Sequence, residues 1–409
     1  MKKNNKIKYK STVSKINKAI LFMVILVLVV ASTEILGRSI CQASTKVVGN
    51  GEDIVQKGNK VYYYANHGNY SGRSYQLCSI GTNNRNKKVL DSWKSGYSKR
   101  LFVVGNKICY QRNDEVYICP VNKKAPKKIA TGNLLCVYGS TIYYTSGKYS
   151  NMKLYKIGIN KKGKKMLISD CQEISLAGSK GKRLIVNAKV SENSVDIMYV
   201  NMSNGKVKKI TSEGPNYNFY SYPDVAMDTY IYGNTLYYVC GNYHGSMYKF
   251  WGTLKKIGLN GKGKETLEDE VTETNSILNV CGKNLYFTTD SVFKSYNMKD
   301  GTLKTISLNY TGMIAGKYIY YSKSDSANGK TVIYRYGLTE GKSKAKEWVT
   351  LSKPVYDYSI SDICQIGNYV YVDMDMRDNS VSEYGWRGKY MGIETYKMTE
   401  SGKNIKKIN

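Results

Sequence analysis

The chain has 409 residues and carries 62 Lys and Arg against 31 Asp and Glu, a formal net charge of +31. A hydrophobic content of 42% and a charged content of 23% are those of folded proteins, so a wholly disordered chain is excluded. The 39 Tyr and only 5 Pro favour β-strands, because Pro interrupts a strand ladder. With only 2 His, few ways remain to build a His-based catalytic triad or zinc site.

The first segment of the chain predicts export. Seven lysines and no acidic residue precede an uninterrupted apolar run, Ala19–Ala31. That run fits the hydrophobic region of a signal peptide and is shorter than the ~20 residues that a membrane-spanning helix needs. Small residues favour cleavage after Ala43. The alternative is an uncleaved anchor that extends to Leu36 and has to bury Glu34. We therefore predict a signal peptide, or an N-terminal membrane anchor, at residues 1–43.

One phrase recurs eight times in the rest of the chain: a Gly, two variable residues and an apolar run that is usually rich in Tyr. The phrases begin, at spacings of 34 to 52 residues, at Gly58, Gly105, Gly139, Gly181, Gly233, Gly282, Gly316 and Gly367. Short alternating segments and Gly-, Asn- and Lys-rich turns around each phrase predict four strands per unit, without helical periodicity. We therefore predict an all-β fold, a single β-propeller of residues 44–409 with eight four-stranded blades, seven being the alternative count.

A linear β-solenoid and two stacked sandwiches are the other folds that such repeats can build. Solenoid coils are shorter and more regular, and sandwiches need no equal repeats, so the propeller is favoured. The last unit ends in its own fourth strand, Lys403–Ile408, and the ring therefore needs no borrowed strand. Residues 44–50 are a candidate extra edge strand. The fourth unit, where Leu184–Val186 replaces the Tyr pair, is the least typical.

The repeated unit resembles a known group of proteins. Its order is a strand, Gly-x-x-apolar-Tyr-Tyr, a loop, apolar-Tyr-x-apolar, a turn and a strand. This order resembles the secreted β-propeller proteins of clostridia (Gram-positive Firmicutes), whose repeats are like those related to the low-density-lipoprotein receptor. It is more distantly similar to the blades of the periplasmic TolB propeller. The resemblance covers about residues 50–409 and implies the fold and secretion, but no catalytic residues.

Two cysteines are a candidate disulfide. Cys109 and Cys119 flank a hairpin, and a three-residue turn at Asn113–Glu115 would place them directly opposite each other. The alternative is a pair of small buried thiols. The sequence contains no Cys-x-x-Cys, so a zinc ribbon is not expected.

Acidic residues are the remaining candidates for chemistry. Asp373, Asp375 and Asp378 offer oxygen ligands to a cation, but they lack the Gly-bearing spacing of a calcium loop, and alternation along a strand explains them as well. We predict no metal and no cofactor. No Gly-x-Ser-x-Gly or phosphate-loop motif occurs, so we predict a protein without enzymatic activity. The alternative is a glycosidase or lyase whose carboxylates meet at the channel mouth.

Propeller geometry assigns the connections to two ends of the ring. Counted from the channel outward, the 1→2 and 3→4 connections leave at one end, and the 2→3 and 4→1 connections leave at the other. The 2→3 loops vary most and carry aromatic residues that suit sugar rings or peptide side chains, or that merely cap the blades. These candidate ligand-binding residues are Tyr70, Tyr149, Tyr243, Tyr248, Trp251, Tyr384, Trp386 and Tyr390.

The 3→4 turns are short and rich in Lys. Lys161, Lys162, Lys164 and Lys165 form the densest group, and they are candidates for binding a polyanion. The alternative is that they are solvated turn residues.

These features predict an exported, monomeric binding module, secreted or at the cell surface. Its partner is expected to be an extracellular glycan, a wall polymer or other polyanion, or a surface protein, contacted through the propeller loops. We expect no specific binding of nucleic acid, and contact with a membrane only through an uncleaved N-terminal segment.

Overall fold

The architecture is nearly all β. The computed structural model describes residues 47–48, 54–67, 74–94, 100–191, 194–214, 225–244, 249–272, 279–289, 292–307, 312–325, 329–340, 342–352, 356–378 and 389–408. In these ranges the chain forms β-strands joined by turns, with a single 3₁₀ helix at Lys342–Lys344. None of the described residues belongs to a helix with the length and hydropathy of a membrane span.

The strands follow one another in groups of four, with one additional strand at the start. The first half of the chain contains β1 (Val47–Val48), β2 (Ile54–Lys57), β3 (Lys60–His67), β4 (Ser74–Gly81), β5 (Lys88–Lys94), β6 (Leu101–Val104), β7 (Lys107–Arg112), β8 (Glu115–Pro120), β9 (Lys127–Thr131), β10 (Asn133–Tyr138), β11 (Thr141–Ser146), β12 (Met152–Gly158), β13 (Lys165–Cys171), β14 (Glu173–Lys180), β15 (Arg183–Ser191), β16 (Ser194–Asn201) and β17 (Val207–Glu213). The second half contains β18 (Val225–Tyr232), β19 (Thr235–His244), β20 (Lys249–Gly258), β21 (Glu265–Thr272), β22 (Asn279–Cys281), β23 (Asn284–Thr289), β24 (Val292–Asn297), β25 (Leu303–Ser307), β26 (Met313–Ala315), β27 (Tyr318–Asp325), β28 (Lys330–Gly337), β29 (Lys346–Ser352), β30 (Tyr356–Ile366), β31 (Tyr369–Asp378), β32 (Lys389–Thr399) and β33 (Lys406–Lys407).

Every described strand pair is antiparallel and joins neighbours in the chain, except that β21 also pairs with β23. The seven sheets therefore contain eight four-stranded meanders, which we number as blades 1 to 8. Blade 1 has β1 as a fifth strand, and the β21–β23 pairing joins blades 5 and 6 into one sheet. The prediction of an all-β propeller is confirmed. The extra edge strand is present at Val47–Val48, and the fourth unit forms a regular blade, β14–β17.

The recurring Gly has a conformational cause. In blade 1 the two-residue turn between β2 and β3 begins at Gly58, whose φ is +58°, and the equivalent Gly of each other blade has a φ between +53° and +62°. A type II′ hairpin turn needs a positive φ at its first central residue, which Gly adopts without strain. The repeated Gly therefore fixes where each first strand ends and each second strand begins.

The core lies between the blades. Most second strands carry buried Tyr or other apolar residues, and in blades 1, 3 and 5 a Tyr hydroxyl of this strand bridges to the next blade. Tyr62 donates to the carbonyl of Val121 at 3.3 Å, Tyr143 to that of Met202 at 2.7 Å, and Tyr237 to that of Met298 at 3.3 Å. A buried Tyr gains apolar area from its ring and satisfies its hydroxyl on a backbone carbonyl. The repeated Tyr thus joins blade 1 to 2, blade 3 to 4 and blade 5 to 6.

The ring closes where blade 8 meets blade 1. Ile366, Tyr371 and Ile408 of blade 8 share one apolar cluster with Val61 and Tyr63 of blade 1. The Tyr63 hydroxyl donates to the carbonyl of Ile408 at 2.7 Å, and the Lys397 ammonium donates to the carbonyl of Thr82. No strand pairing between the two blades is present among the described residues. Side-chain packing therefore closes the ring, with the last strand at Lys406–Lys407.

Candidate binding surfaces

Two ends of the ring are available for ligands. We call the end with the 1→2 and 3→4 connections the turn end, and the end with the 2→3 and 4→1 connections the loop end. At the turn end, Asn side chains hold the 3→4 turns: the Asn160 Oδ1 atom accepts the Lys162 amide at 3.0 Å, and the Asn260 Oδ1 atom accepts the Lys262 amide at 3.0 Å. Such Asx turns fix short connections. The lysines of these turns are therefore presented from rigid backbone.

Tyr149 is the most exposed aromatic residue among the described side chains at the loop end. It lies in the 2→3 turn of blade 3, and 61% of its surface is accessible. The next residue, Ser150, donates its amide to the carbonyl of Gln172 at 3.0 Å, and the Gln172 amide donates to the carbonyl of Lys189 in blade 4 at 2.7 Å. Backbone hydrogen bonds thus tie the turn to its own blade and to the next one. The aromatic ring is exposed on a fixed support.

A buried lysine fixes the ring itself. The Lys189 ammonium donates to the Tyr149 hydroxyl at 3.3 Å and lies 5.8 Å from the ring centroid. Lys189 is only 9% exposed and faces Glu173 across the β14–β15 pair, whereas its neighbour Val190 is 43% exposed. We call Tyr149 and Lys189 the Tyr149 platform. It offers an aromatic face and one charge to a ligand.

Trp251 is the second predicted aromatic residue that is exposed. It lies on β20 near the loop end, between Asn242 of β19 and Thr272 of β21, and 50% of its surface is accessible. The structure therefore brings Tyr149 and Trp251 to the same end of the ring. Tyr243 and Tyr390 lie on β19 and β32, where the backbone alone is described. The other predicted residues, Tyr70, Tyr248, Tyr384 and Trp386, lie outside the described residues.

The four predicted polyanion-binding lysines lie together in the 3→4 turn of blade 3. Lys161, Lys162, Lys164 and Lys165 are all exposed. Lys164 differs from the others because its ammonium lies 4.7 Å from the centroid of the Tyr155 ring, in its own blade. An ammonium group over an aromatic face is attracted by the ring quadrupole. The contact therefore restrains the Lys164 side chain at this turn.

Several other turn-end cations bridge two blades, which the sequence did not reveal. The Lys57 ammonium donates to the carbonyl of Gly105 and to the Asn106 Oδ1 atom, 2.8 Å away, in blade 2. Arg183 makes the same two contacts with Gly233 and Asn234 of blade 5. The bridged acceptors are the Gly and Asn of the next 1→2 turn. Part of the positive charge of this end is therefore structural.

The candidate disulfide is absent. The prediction is wrong because the two strands pair one residue away from the register that a three-residue turn would give. The β7–β8 hairpin turns through two residues, Asn113 and Asp114, so Cys109 pairs with Ile118, and Cys119 pairs with Ile108. Because side chains alternate along a strand, a shift of one residue sends the two thiols to opposite faces. Both are free buried thiols, in different apolar clusters. Burial raises the pKa of both.

The acidic run lies on the face of blade 8 that packs against blade 1. Asp373 pairs with Asp362 across β30–β31, and Asp375 shares its face. Tyr371 of the same strand packs on blade 1. Because side chains alternate along a strand, the carboxylates of Asp362, Asp373 and Asp375 lie on the same face as Tyr371, at this seam. Burial raises the pKa of Asp373 to about 7, a hydrogen bond with Thr395 opposes that shift, and both other carboxylates add to it. Within the described residues, no group of three His, Cys, Asp or Glu side chains is arranged to hold a metal.

Fold and surfaces together define the class of this protein: a β-propeller whose described residues include exposed Tyr149 and Trp251 at one end and lysine-rich turns at the other. No protein-family profile matches the sequence, and no curated protein matches it. The similar solved structures are propellers. The chain is 10% identical to the β-propeller domain of the trilobed protease from Pyrococcus furiosus, with a TM-score of 0.45, covering 88% of this chain and 97% of that one.

Two further structures are similar in fold alone. The tricorn protease is 11% identical with a TM-score of 0.39, and the match covers 90% of this chain but 44% of that one, so the chain spans less than half of its length. TolB from Acinetobacter baumannii is 11% identical with a TM-score of 0.31, and the match covers 69% of this chain and 78% of that one. The clostridial, secreted and lipoprotein-receptor-like features of the resemblance remain predictions.

Proposed function

We propose that the protein is an exported, non-enzymatic binding module of the cell surface, whose loop end holds a glycan or a glycan-bearing wall polymer against the Tyr149 platform. The observation that carries this proposal is the combination of high exposure and fixed position at Tyr149. A ligand that stacks on a ring already in place loses little side-chain entropy on binding, because the ring is ordered beforehand. Exposed Trp251, on the third strand of blade 5, is a second exposed aromatic residue at the same end.

The platform favours a sugar over a small anion. Lys189 is nearly buried and already contacts the Tyr149 hydroxyl, so its charge is partly used within the protein. The accessible chemistry is the exposed aromatic face of Tyr149, which suits the C–H face of a pyranose ring. Binding at this end should therefore depend weakly on salt, because few counterions are released.

The experiment is an array of glycans and wall polymers, probed with the exported protein at two salt concentrations. Tyr149→Ala is expected to weaken binding about tenfold, which corresponds to about 1.4 kcal/mol. Tyr149→Phe keeps the ring and is expected to retain most of the affinity. Replacing Lys161, Lys162, Lys164 and Lys165 together by Ser should leave neutral-glycan binding unchanged. Binding that survives Tyr149→Ala, or that disappears in the Lys variant, would overturn the assignment to the loop end.

The proposal that the protein is exported rests on its N-terminal segment. The seven lysines followed by Ala19–Ala31 support a signal peptide with cleavage after Ala43. Mass spectrometry of the culture medium is expected to find Ser44 as the N-terminal residue. An intact N-terminus in the membrane fraction would establish an anchor, and a full-length chain in the cytoplasm would contradict export.

A further inference from the structure

A cleft opens at the turn end between blades 2 and 3. Its volume is about 670 Å³, within the range of ligand sites. The apolar part of its wall comes from Val104 and Pro120 of blade 2 and from Ile159 of blade 3, and Lys107 lines the same space. The remaining wall comes from the two 1→2 turns, from Gly105 and Asn106 in blade 2 and from Gly139 and Ser140 in blade 3. The cleft is thus apolar inside and carries a cation on its wall.

The preceding seam, between blades 1 and 2, is covered by a lysine at the corresponding position. Lys57 is the residue before the turn Gly, and it covers the next 1→2 turn through Gly105 and Asn106. In blade 2 the equivalent residue is Val104, which has no group that can make this bridge. The position of the Asn acceptor is occupied by Ser140. The bridge that covers the preceding seam therefore has no equivalent at this one.

The charge around the cleft has one sign. Pro120 is followed by the turn that carries Lys123 and Lys124, and Ile159 is followed by the turn that carries Lys161 and Lys162; all four lysines are exposed. From residue 116 to residue 169 the chain contains eleven lysines and no acidic residue. The segment that builds both turns therefore supplies no internal counter-charge. An anionic partner would supply the missing charge.

We propose that this cleft is a docking site for an acidic peptide segment with an apolar anchor residue: the anchor enters between Val104, Pro120 and Ile159, and flanking carboxylates contact Lys107 and the turn lysines. An anionic polysaccharide would also be attracted by the lysines, but it has no side chain that fills an apolar cleft. The apolar wall therefore selects the peptide. This site lies at the opposite end from the Tyr149 platform, so it does not rest on the glycan proposal.

The test uses the exported protein and a fluorescein-labelled peptide in which one Leu is flanked on each side by three Glu. Val104→Lys installs the bridge that Lys57 makes at the preceding seam, so it closes the cleft while adding a positive charge. Ser140→Trp obstructs the cleft at an exposed turn position without changing the charge. Both variants are expected to weaken peptide binding at least about tenfold, because burial of a Leu side chain contributes more than 1.4 kcal/mol. A peptide with Ser in place of Leu should bind as weakly to the parent protein.

A matched control separates the cleft from general charge. Lys161→Ser with Lys162→Ser should weaken binding and reduce its salt dependence, whereas Lys403→Ser with Lys406→Ser, an equal charge change at an exposed part of blade 8, should leave it within about twofold. If Val104→Lys binds the peptide as well as the parent or better, and Ser140→Trp does so too, charge alone is responsible and the proposal is overturned. Equal competition by polygalacturonate against Leu and Ser peptides would show a polysaccharide site instead. Unfolding midpoints of the variants identify any loss that is due to misfolding.

Discussion

The seam between blades 4 and 5 and the seam between blades 8 and 1 each bury a carboxylate, with opposite surroundings. Glu213 of blade 4 accepts hydrogen bonds from the Tyr238 hydroxyl at 2.7 Å and from the Lys255 ammonium at 3.0 Å, and it forms an ion pair with Lys264 at 2.6 Å. Burial raises the pKa of Glu213, but these partners together hold it below its usual value. Asp373 forms a hydrogen bond with Thr395, but among the described residues its Oδ1 atom has no hydrogen-bond partner.

The difference shows how the ring is held. At the 4–5 seam the buried carboxylate has charged and hydroxyl donors. The closing seam is held by an apolar cluster and by hydrogen bonds from Tyr63 and Lys397, and one oxygen of its buried Asp373 has no hydrogen-bond partner among the described residues. A buried charge stabilises only when its partners compensate for lost hydration. We therefore expect the closing seam to be the weaker and more pH-sensitive of the two.

The largest expected effect is at Glu213. Glu213→Ala leaves Lys255 and the Tyr238 hydroxyl without their acceptor at the 4–5 seam, and removing one partner of a buried ion pair costs about 3–5 kcal/mol. The control is Glu265→Ala, which breaks the more exposed pair with Lys256. Exposed pairs contribute about 1 kcal/mol at most. Urea unfolding measures both. Equal losses in the two variants would show that the 4–5 network adds no special stability.

The second effect is the pH dependence of the closing seam. The pKa of Asp373 is about 7 in the folded protein against an ordinary 3.8, so the folded state binds the proton more tightly than the unfolded state. Its favourable contribution is complete below about pH 4 and is lost as the pH rises towards 7, by an amount of the order of 4 kcal/mol. Asp373→Asn should remove this slope and raise stability at pH 8 relative to the parent. Parallel pH curves for parent and variant would contradict this role of Asp373.

The smallest effect compares two buried tyrosines. The Tyr143 hydroxyl donates to the Met202 carbonyl, whereas the Tyr371 hydroxyl at the closing seam has no partner among the described residues. Tyr143→Phe should cost about 1 kcal/mol, and Tyr371→Phe should be neutral or stabilising, because it removes a buried unsatisfied group. Thermal unfolding of the two variants provides the measurement. The reverse order would refute the hydrogen-bond account of the blade seams.

Much of the fold could be predicted from the sequence because its signals are local. The turn at Gly58 requires a positive φ, and the strand that follows it alternates in a recognisable way, so each repeat marks its own boundaries. Whether Cys109 and Cys119 lie opposite each other could not be predicted in the same way, because it depends on whether the turn between their strands has two residues or three. The bridge from Lys57 to blade 2 depends on which blades are neighbours in space. The opening at Val104 became visible only by comparison with that bridge.

For the candidate binding surface, the sequence likewise predicted exposed residues but not the contacts that support them. The sequence identified Tyr149 and Trp251 by their place in variable loops, and both are exposed at the loop end. It did not reveal that Lys189, forty residues further on, supports the Tyr149 ring, because this contact crosses from blade 3 to blade 4. Contacts between blades follow from packing rather than from the pattern within one repeat.

The central claim is that the groups which hold the blades together and the groups which bind a ligand are separate sets. The most direct measurement determines glycan affinity and unfolding free energy for Tyr149→Ala and Tyr143→Phe in parallel. We predict that Tyr149→Ala loses about tenfold in affinity with its unfolding free energy almost unchanged, because an exposed ring contributes little to the core. Tyr143→Phe should show the opposite, with about 1 kcal/mol of stability lost and affinity retained. Full glycan affinity in Tyr149→Ala, or a parallel loss of affinity in Tyr143→Phe, would contradict the account.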